Sequence, residues 1–493
     1  YIPCYPNYGE KSREKDEKMS AKEALDAILQ PSGIAVIGAS KDPLKWGHML
    51  LAAIMKGGYK GRLYPINPRE TEIEGLKVYP TVVDVPERVD LAIIVVPANV
   101  VPSVMNDCAK KGVKGAVVIT SGFGETGAEG KKLQDEVVKV AQEGGVRFVG
   151  PNVMGVCSSK ARLSALMVPF LHEKGEVAFI SQSGGYGLQL YLRASSMGVG
   201  IASFISSGNE ADLTTVDYIK YFAEDPSIKV ICMYMEGLRQ GRAFYEAAKE
   251  ITKKKPIVVI KVGTSEVGSK AASSHTGALA GSDKLYDAMF KQAGILRANN
   301  ATEMFDIIKG LLYAPLPEGN RVGVISNSGG IAVETADALS SNGLVMPTFP
   351  EEKQKEILKV IPAFGNPRNP VDLTASLNMA SFLKVPDMVL SDPNIDGLIT
   401  IGLGTSLMHV MFPDAKPEDL MGLYKWINDQ LIAIYRKYGK PVLIINPSAD
   451  IEPESSKLLE EARMPVYVTP EAAADVMGAL WKYKQYLDKA GKE

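Results

Sequence analysis

Short apolar runs rich in β-branched residues alternate with longer helical patterns along nearly the whole chain, and this alternation limits the possible folds most. Apolar residues at consecutive positions are typical of strands that are buried on both faces of a parallel sheet. The pattern therefore predicts an α/β fold of parallel sheets covered by helices. The runs are Ile34–Ile37, Leu91–Val96, Ala116–Ile119, Arg147–Val149, Val177–Ile180, Val230–Met233, Ile257–Ile260, Val322–Ile325, Gly397–Ile401 and Val442–Ile445.

The strand rhythm lapses twice, near residues 158–175 and at the turn-rich segment 314–319, and these lapses divide the chain into three α/β blocks. Three domains suit a chain of 493 residues. We predict an extension without packed structure over residues 1–19, a Rossmann-like domain over 20–158, and two flavodoxin-like domains over 159–314 and 315–493.

Charge and cysteine content exclude several classes of protein. The formal net charge is −2, which gives no general attraction to nucleic acid or to acidic membranes. No apolar run approaches the roughly 18 residues of a membrane span, and no signal-peptide pattern is present. The cysteines are far apart without C-x-x-C spacing, so we predict no metal site, no disulfide framework and a reduced, cytoplasmic setting. They are Cys4, Cys108, Cys157 and Cys232.

The second and third blocks share landmarks in the same order. Residues 181–185 (Ser-Gln-Ser-Gly-Gly) correspond to residues 326–330 (Ser-Asn-Ser-Gly-Gly). Further pairs are Gly208–Leu213 with Gly365–Pro367 plus Val371–Leu373, Lys255–Lys261 with Lys440–Asn446, and Gly294–Leu296 with Met464–Val466. Between the last two pairs the second block has roughly fifteen extra residues, which a fold of this type does not need in order to close.

His275, one of four histidines, lies inside these extra residues. Small residues flank it in Ala272–Gly281, so the imidazole has little bulk to pack against. The segment resembles a mobile loop that leads into a helix N-terminus, where backbone N–H groups can hold an anion. A structural role remains the alternative to a nucleophilic one.

The first block has several turns at strand ends that are suited to a nucleotide-like ligand. The first turn, Gly38–Ser40, does not form G-x-G-x-x-G, and the second strand ends at Tyr64–Pro68 without an acidic ribose partner, which disfavours NAD. Such turns converge where open α/β sheets bind ligands. Alternatively, glycine and proline only punctuate loops. The other turns are Val96–Ala98, Thr120–Gly124 and Gly150–Asn152, and Lys41, Lys45 and Arg69 are the cations that could meet phosphates.

The two Ser-x-Ser-Gly-Gly turns each follow a strand and begin a helix. Their glycines allow close approach, and their free N–H groups can bind a phosphate or acyl phosphate. Ser181, Ser183 and Ser328 would add hydroxyl donors. The alternative is that the serines are ordinary helix N-caps.

Glu236 ends an apolar strand, where the third block has Gly402–Gly404 without an acid. A carboxylate beside a histidine can fix the imidazole tautomer and stabilise its cation; a solvated strand-end glutamate is the alternative. His48, His172 and His409 lack an accompanying motif and are interpreted as surface or packing residues. The sequence contains no G-x-S-x-G elbow, so it does not indicate a Ser–His hydrolase.

From about residue 20 to 485 the chain resembles the NDP-forming acyl-CoA synthetases, specifically the α subunits of ADP-forming acetate–CoA ligases in the succinyl-CoA synthetase superfamily. The most specific motifs are Ser274–Ala278, Ser181–Gly185, Gly38–Ser40 with Tyr64–Pro68, and Gly150–Asn152.

The resemblance implies that the first domain binds coenzyme A and that the next two form an acyl phosphate site. The histidine matching His275 is phosphorylated in the family, and the acid matching Glu236 supports it. Implied CoA contacts are Gly38, Ala39, Ser40, Lys45, Pro65, Asn67, Pro68, Val96, Pro97, Ser121 and Gly122. Implied phosphate or acyl phosphate contacts are Asn152, Ser181, Gln182, Ser183, Gly184, Gly185, Ser328, Gly329 and Gly330.

The implied reaction converts acyl-CoA, ADP and phosphate into a carboxylate, ATP and CoA through an acyl phosphate and a phosphohistidine. We find no ATP-grasp domain and no Walker loop. The resemblance therefore implies a separate ATP-grasp β subunit that binds ADP or ATP with Mg²⁺, in an α₂β₂ assembly. It leaves open the acid and the choice between ADP and GDP, and Met154, Tyr186, Phe204 and Phe364 are candidate pocket residues. A CoA-responsive binding protein and a CoA-thioester acyltransferase are the alternative functions.

Overall fold

The computed structural model describes residues 19–168, 174–268, 282–374, 378–402, 412 and 414–491. The helices are α1 Ala21–Leu29, α2 Trp46–Lys56, α3 Val101–Lys111, α4 Ala128–Glu143, α5 Gly184–Ser196, α6 Thr215–Glu224, α7 Gly241–Ile251, α8 Asp283–Ala293, α9 Ala301–Tyr313, α10 Gly329–Ser341, α11 Glu351–Leu358, α12 Met379–Leu390, α13 Pro417–Lys437, α14 Glu454–Glu461 and α15 Pro470–Ala490.

Nineteen strands lie between these helices within the described residues. They are β1 Gly33–Ile37, β2 Arg62–Ile66, β3 Glu72–Ile73, β4 Leu76–Lys77, β5 Leu91–Ile94, β6 Gly115–Val118, β7 Arg147–Val149, β8 Val156–Ser158, β9 Leu163–Ala165, β10 Val177–Ser181, β11 Ile201–Ser206, β12 Val230–Met235, β13 Ile257–Lys261, β14 Leu296–Ala298, β15 Val322–Ser326, β16 Val371–Asp372, β17 Gly397–Ile401, β18 Val442–Ile445 and β19 Val466–Tyr467.

The first sheet has the order β2-β1-β5-β6-β7, and all its pairs are parallel. Residues of β1, β5 and β6 are buried throughout, as the apolar runs predicted for strands covered on both faces. From β1 the chain goes first to β2 on one side and then to β5 on the other. Ligands bind at such a switch point in open α/β sheets, which here lies between the carboxyl ends of β1 and β5.

The second sheet has the order β14-β13-β12-β10-β11-β8-β9. The strands β10 to β14 are parallel, whereas β8 pairs antiparallel with both β11 and β9. The sequence boundary at 158/159 therefore falls just after β8, a strand of the second sheet. The switch point of this sheet lies between β10 and β12.

The third sheet has the order β16-β15-β17-β18-β19, and its five parallel strands match the five parallel strands of the second sheet one by one. The register corrects one detail of the sequence comparison. Ser181 pairs with Ser206, and Ser326 pairs with Asp372. Asp372 is therefore the structural counterpart of Ser206. The sequence match, which placed residues 371–373 opposite the segment 208–213, is offset from this structural equivalence.

The blocks are joined by buried polar contacts and by the last helix. Arg147 in β7 forms an ion pair with Asp212 of the second block, with Nε and Oδ1 2.9 Å apart. Helix α15 packs against α9 and α10, and the hydroxyl of Tyr483 donates to the carbonyl of Thr252 at 2.7 Å. The prediction of an α/β fold built on parallel sheets is confirmed. In the described part of the chain no helix combines the length and apolar character that a bilayer crossing requires.

Candidate functional site

A cavity of about 470 Å³ is lined by residues at the carboxyl ends of the first and second sheets. It contains turns that the sequence assigned to CoA, the second-block phosphate turn and Glu236. The switch points of two separate sheets therefore open into one space. The lining residues are Trp46, Val95–Ala98, Ile119–Ser121 and Asn152–Met154 from the first block and its connection, and Gln182–Gly185, Gly208–Glu210, Glu236, Gly237 and Arg239 from the second.

The turn after β10, called the phosphate turn after its predicted ligand, contributes Gln182–Gly185 to the lining of this cavity. The Ser181 hydroxyl is buried and donates to the carbonyl of Ser183 at 2.7 Å, so it braces the turn and is not a ligand donor. Ser183 is the N-cap residue of α5 but makes no capping hydrogen bond through its side chain. A Cβ added to Gly185 would meet no atom within 4 Å. Packing therefore does not require a glycine at residue 185, and the space in front of it is open.

Gln182 connects the phosphate turn to Glu236 through its side-chain amide. Its Oε1 accepts the backbone N–H groups of Glu236 at 2.6 Å and of Gly237 at 3.0 Å. Its Nε2 donates to the Gly237 carbonyl at 2.8 Å and to Glu210 Oε1 at 3.2 Å. The amide is thus bonded within the protein, and Gln182 holds the Glu236 turn beside the phosphate turn.

Glu236 is half-buried and lies in the same cavity as Arg239, three residues further along. The pKa of Tyr234 is raised to about 12, mainly because the side chain is buried and also because the Glu236 carboxylate is nearby. Arg239 is exposed and is the only Lys or Arg that lines this cavity in the described ranges. Besides the two carboxylates of Glu210 and Glu236, the cavity thus has one cation and the N-terminus of α5, the two features that can attract an anion.

A second cavity, of about 580 Å³, lies at the carboxyl ends of β1, β2 and β5 and shares Val95–Pro97 with the first. Gly38 has φ +95°, and a Cβ there would lie 2.4 Å from the Val95 carbonyl oxygen, so only glycine fits. Of the CoA-implied residues, Gly38, Asn67, Pro68, Val96 and Pro97 line this second cavity, and Ser121 lines the first.

The remaining CoA-implied residues lie around these cavities without lining them. The Ala39 carbonyl accepts from Asn67 Nδ2 at 2.8 Å, and Gly122 N–H donates to Glu125 at 2.6 Å. Lys41 Nζ is 2.9 Å from a Glu70 carboxylate oxygen, so it is already paired. The residues that line neither cavity are Ala39, Ser40, Lys45, Pro65 and Gly122.

The third-block turn does not reach either cavity. Ser328, Gly329 and Gly330 follow β15 in the third sheet and line neither space. A Cβ on Gly329 would lie 3.8 Å from Oδ2 of Asp372, so a carboxylate stands beside this turn. The two turns thus do not share a cavity, because each is tied to the switch point of its own sheet.

Some predicted residues lie elsewhere or outside the described ranges. His275 falls in 269–281, which is not described, as do His172 and His409 in their own segments. Of the candidate pocket residues, Met154 lines the first cavity, while Phe204 is fully buried in the core between Phe179 and Tyr191. Tyr186 and Phe364 are exposed and line neither cavity.

Among the lining residues that the sequence did not predict are Trp46, Glu210 and Arg239. Glu210 is buried at φ +48° and accepts from the Thr215 hydroxyl at 2.6 Å. A non-glycine residue in this conformation indicates local strain that the structure must support. The signal in the sequence was position, since these three residues follow the parallel strands β1, β11 and β12, respectively. Among the described residues, no cluster of three or more His, Cys, Asp or Glu side chains is suited to a metal ion.

Protein-family models match all three blocks. A CoA binding domain matches residues 32–183, a succinyl-CoA ligase-like flavodoxin domain matches 174–311, and a ligase-CoA domain matches 322–489. These matches agree with the fold class predicted from the sequence.

Known relatives match the chain over most of its length. It is 41% identical over 95% of its length to 99% of the α subunit of Acetate–CoA ligase [ADP-forming] II from Pyrococcus furiosus. It is 34% identical over 93% of its length to 64% of 4-hydroxybutyrate–CoA ligase [ADP-forming] from Nitrosopumilus maritimus.

A solved structure extends the likeness to three dimensions. It is the dinucleotide-forming acetyl-coenzyme A synthetase 1 of Ca. Korarchaeum cryptofilum in complex with phosphate and ADP, with a TM-score of 0.84 and 40% identity. The match covers 95% of this chain and 99% of that one. With the fold, the switch-point cavity and the relatives in agreement, the chain belongs to the family of ADP-forming acetate–CoA ligase α subunits.

Proposed function

We propose that the chain is the α subunit of an NDP-forming acyl-CoA synthetase that acts through an acyl phosphate and a phosphohistidine at His275. One observation carries the proposal: the cavity of about 470 Å³ is shared by the Val96–Pro97 turn, the Ser183–Gly185 turn and Glu236. A thioester, a phosphate and a carboxylate partner for a histidine would thus meet in one place.

In the first step, CoA lies along the turns of the first block, and its thioester reaches the shared cavity past Val96 and Pro97. Inorganic phosphate binds at the N-terminus of α5 through backbone N–H groups, the Ser183 hydroxyl and Arg239. A phosphate oxygen attacks the thioester carbon, the C–S bond breaks, and the thiol leaves with a proton. Asn152 lies at the same cavity and supplies an amide donor.

In the second step, the imidazole of His275 attacks the phosphorus of the acyl phosphate. The P–O bond to the acyl group breaks and the carboxylate leaves. Glu236 stabilises the imidazole as it gains positive charge. We assign no role in this step to the third-block residues Ser328–Gly330, since they line neither cavity.

In the last step, the phosphoryl group passes to a nucleoside diphosphate on an ATP-grasp partner subunit, which would also hold Mg²⁺. Two findings support the partner: the Pyrococcus relative is named as an α subunit, and the chain spans 64% of the Nitrosopumilus relative. An α₂β₂ assembly and a cytoplasmic location belong to the same proposal. The carboxylic acid is left open, since ligases for acetate and for 4-hydroxybutyrate are both relatives.

The test is phosphoryl labelling. With its partner and γ-³²P-ATP, the protein should acquire acid-labile, base-stable label that is absent from His275→Ala. Label and turnover in His275→Ala would overturn the proposal. Product formation from acyl-CoA without inorganic phosphate would instead favour an acyltransferase.

A further inference from the structure

Three consecutive backbone N–H groups of the turn that carries Glu236 donate to side chains from different parts of the second block. The N–H groups of Glu236 and Gly237 donate to Gln182 Oε1 at 2.6 and 3.0 Å, and the N–H of Leu238 donates to the hydroxyl of Tyr286 at 3.1 Å. An N–H group that loses its acceptor inside the protein is costly, so the position of the turn depends on these two side chains.

One of the two side chains belongs to the phosphate turn, and the other belongs to the helix that follows the segment with His275. Gln182 lies in the phosphate turn, between Ser181 and Ser183. Tyr286 lies in the first turn of α8, the helix that begins at Asp283 directly after the segment with His275. The Glu236 turn therefore joins the phosphate turn to the helix that follows the histidine.

Both holding groups are themselves fixed in orientation. Backbone N–H groups only donate and a backbone carbonyl only accepts, so Gln182 presents its oxygen to the N–H groups of Glu236 and Gly237 and its NH₂ group to the Gly237 carbonyl. The ring of Tyr286 is buried, and Lys261 Nζ lies 4.6 Å from its centroid. Lys261 is 6% exposed and also donates to the Val262 carbonyl, so this cation–π contact is sheltered from solvent.

The base of α8 is held independently of Tyr286. Arg297 in β14 forms ion pairs with Asp283, at 2.8 Å, and with Asp287. Removal of the Tyr286 hydroxyl should therefore leave the helix in place and release only the Leu238 N–H.

We infer that Gln182 and Tyr286 are positioning residues that set Glu236 for phosphoryl transfer and couple its turn to both the phosphate turn and the base of α8. The inference rests on the proposed function, in which His275 takes the phosphoryl group. It adds that a tyrosine hydroxyl outside the cavity lining controls the second step without touching the substrate.

The test compares two half-reactions in the full chain. The first is acetyl phosphate formation from acetyl-CoA and inorganic phosphate. The second is phosphorylation of the protein by acetyl phosphate, measured in a single turnover. In Tyr286→Phe we expect the second rate constant to fall about tenfold, while the first stays within twofold and the melting temperature changes little, because the ring and its contact with Lys261 remain.

Tyr245→Phe is the matched control, since the Tyr245 hydroxyl donates to Gln292 at 3.5 Å in an exposed contact. It should not change either half-reaction. Gln182→Met removes the amide but keeps the chain length, and its effect on the second step should be non-additive with Tyr286→Phe because both hold one turn.

The outcomes separate this inference from the function on which it rests. If the unmodified chain labels but Tyr286→Phe labels at the same rate, the positioning role is wrong and the proposed function stands. Equal losses in both half-reactions with a lower melting temperature would show a purely structural tyrosine. If the unmodified chain and its complex take up no label on histidine, both proposals fall.

Discussion

The second and third blocks contain the same turn in two different surroundings. In each, the first serine is fully buried and its hydroxyl donates to the carbonyl of the second serine at 2.7 Å: Ser181 to Ser183 and Ser326 to Ser328. In each, the second serine precedes a helix and makes no capping hydrogen bond through its side chain. The motif thus specifies one local conformation twice.

The surroundings differ at two equivalent positions. Beside the second-block turn lies Ser206, whose hydroxyl accepts from Met154 N–H at 3.0 Å, whereas Asp372 lies beside the third-block turn. After the next strand stands Glu236 in one block and Gly402 in the other. The second-block turn lines a cavity together with Arg239, Glu210 and Glu236, whereas the third-block turn lines neither of the two cavities and has the Asp372 carboxylate beside it. The motif therefore specifies the shape of the turn, and the cavity and the cation are found beside only one of the two turns within the described residues.

The largest loss of activity should come from a bulky side chain in the second-block turn, whereas the same change in the third-block turn should have little effect. Gly185→Val places its side chain in open space, where we propose that phosphate binds, and should lower kcat/KM for phosphate at least about 100-fold without unfolding the protein. Gly330→Val is the matched control in the third block and should have little effect. Steady-state kinetics with circular dichroism would check this, and equal losses in both variants would break the comparison.

The next largest loss of activity should follow removal of the charge of Glu236, whose place in the third block is taken by Gly402. Glu236→Gln keeps the size of the side chain but removes its charge, and should slow protein phosphorylation by acetyl phosphate about 10- to 100-fold. Acetyl phosphate formation should be nearly unchanged. Glu246→Gln, at an exposed carboxylate on α7, serves as the control. An unchanged phosphorylation rate would leave Glu236 as a solvated strand-end residue.

A smaller effect on activity is expected from removal of Arg239, the cation that lines the cavity of about 470 Å³. Arg239→Met should raise KM for phosphate about tenfold, equivalent to about 1.4 kcal/mol, because one charged donor is lost. Arg242→Met, nearby on α7 and paired with Glu246 at 2.8 Å, should not. A KM equal to that of the unmodified protein would place Arg239 outside the anion site.

The smallest effect should follow removal of the third-block carboxylate. Asp372→Ser gives this turn the neighbour that the second block has, so we expect activity within twofold of the unmodified protein. A loss comparable to that of Gly185→Val would show that the third turn is part of the active site.

The fold could be predicted further than the site. Apolar runs identified ten strands because burial of consecutive residues leaves a clear pattern. The buried strand β11, which contains Ser203 and Ser206, and the two- and three-residue strands β8, β9 and β16 did not stand out in this way. The match of residues 208–213 with residues 365–367 and 371–373 did not predict that Asp372 would occupy the place of Ser206, since residue identity in a short segment does not determine strand pairing.

Within the site, residues next to strand ends could be predicted because parallel strands end at one edge of a sheet. The inward hydrogen bond of Ser181 and the lining positions of Glu210 and Arg239 could not, because they depend on loop conformation. Phe204 was assigned to the pocket but lies in the core, since chemistry of the side chain does not reveal the face of a strand on which it stands.

The most direct test of the account is a crystal structure of the protein soaked with inorganic phosphate, with anomalous data from a thiophosphate soak to locate the anion. The account predicts an anion at the N–H groups of Ser183–Gly185, near Arg239, and none at Ser328–Gly330. An anion bound at the third-block turn, with the second-block turn empty, would contradict it.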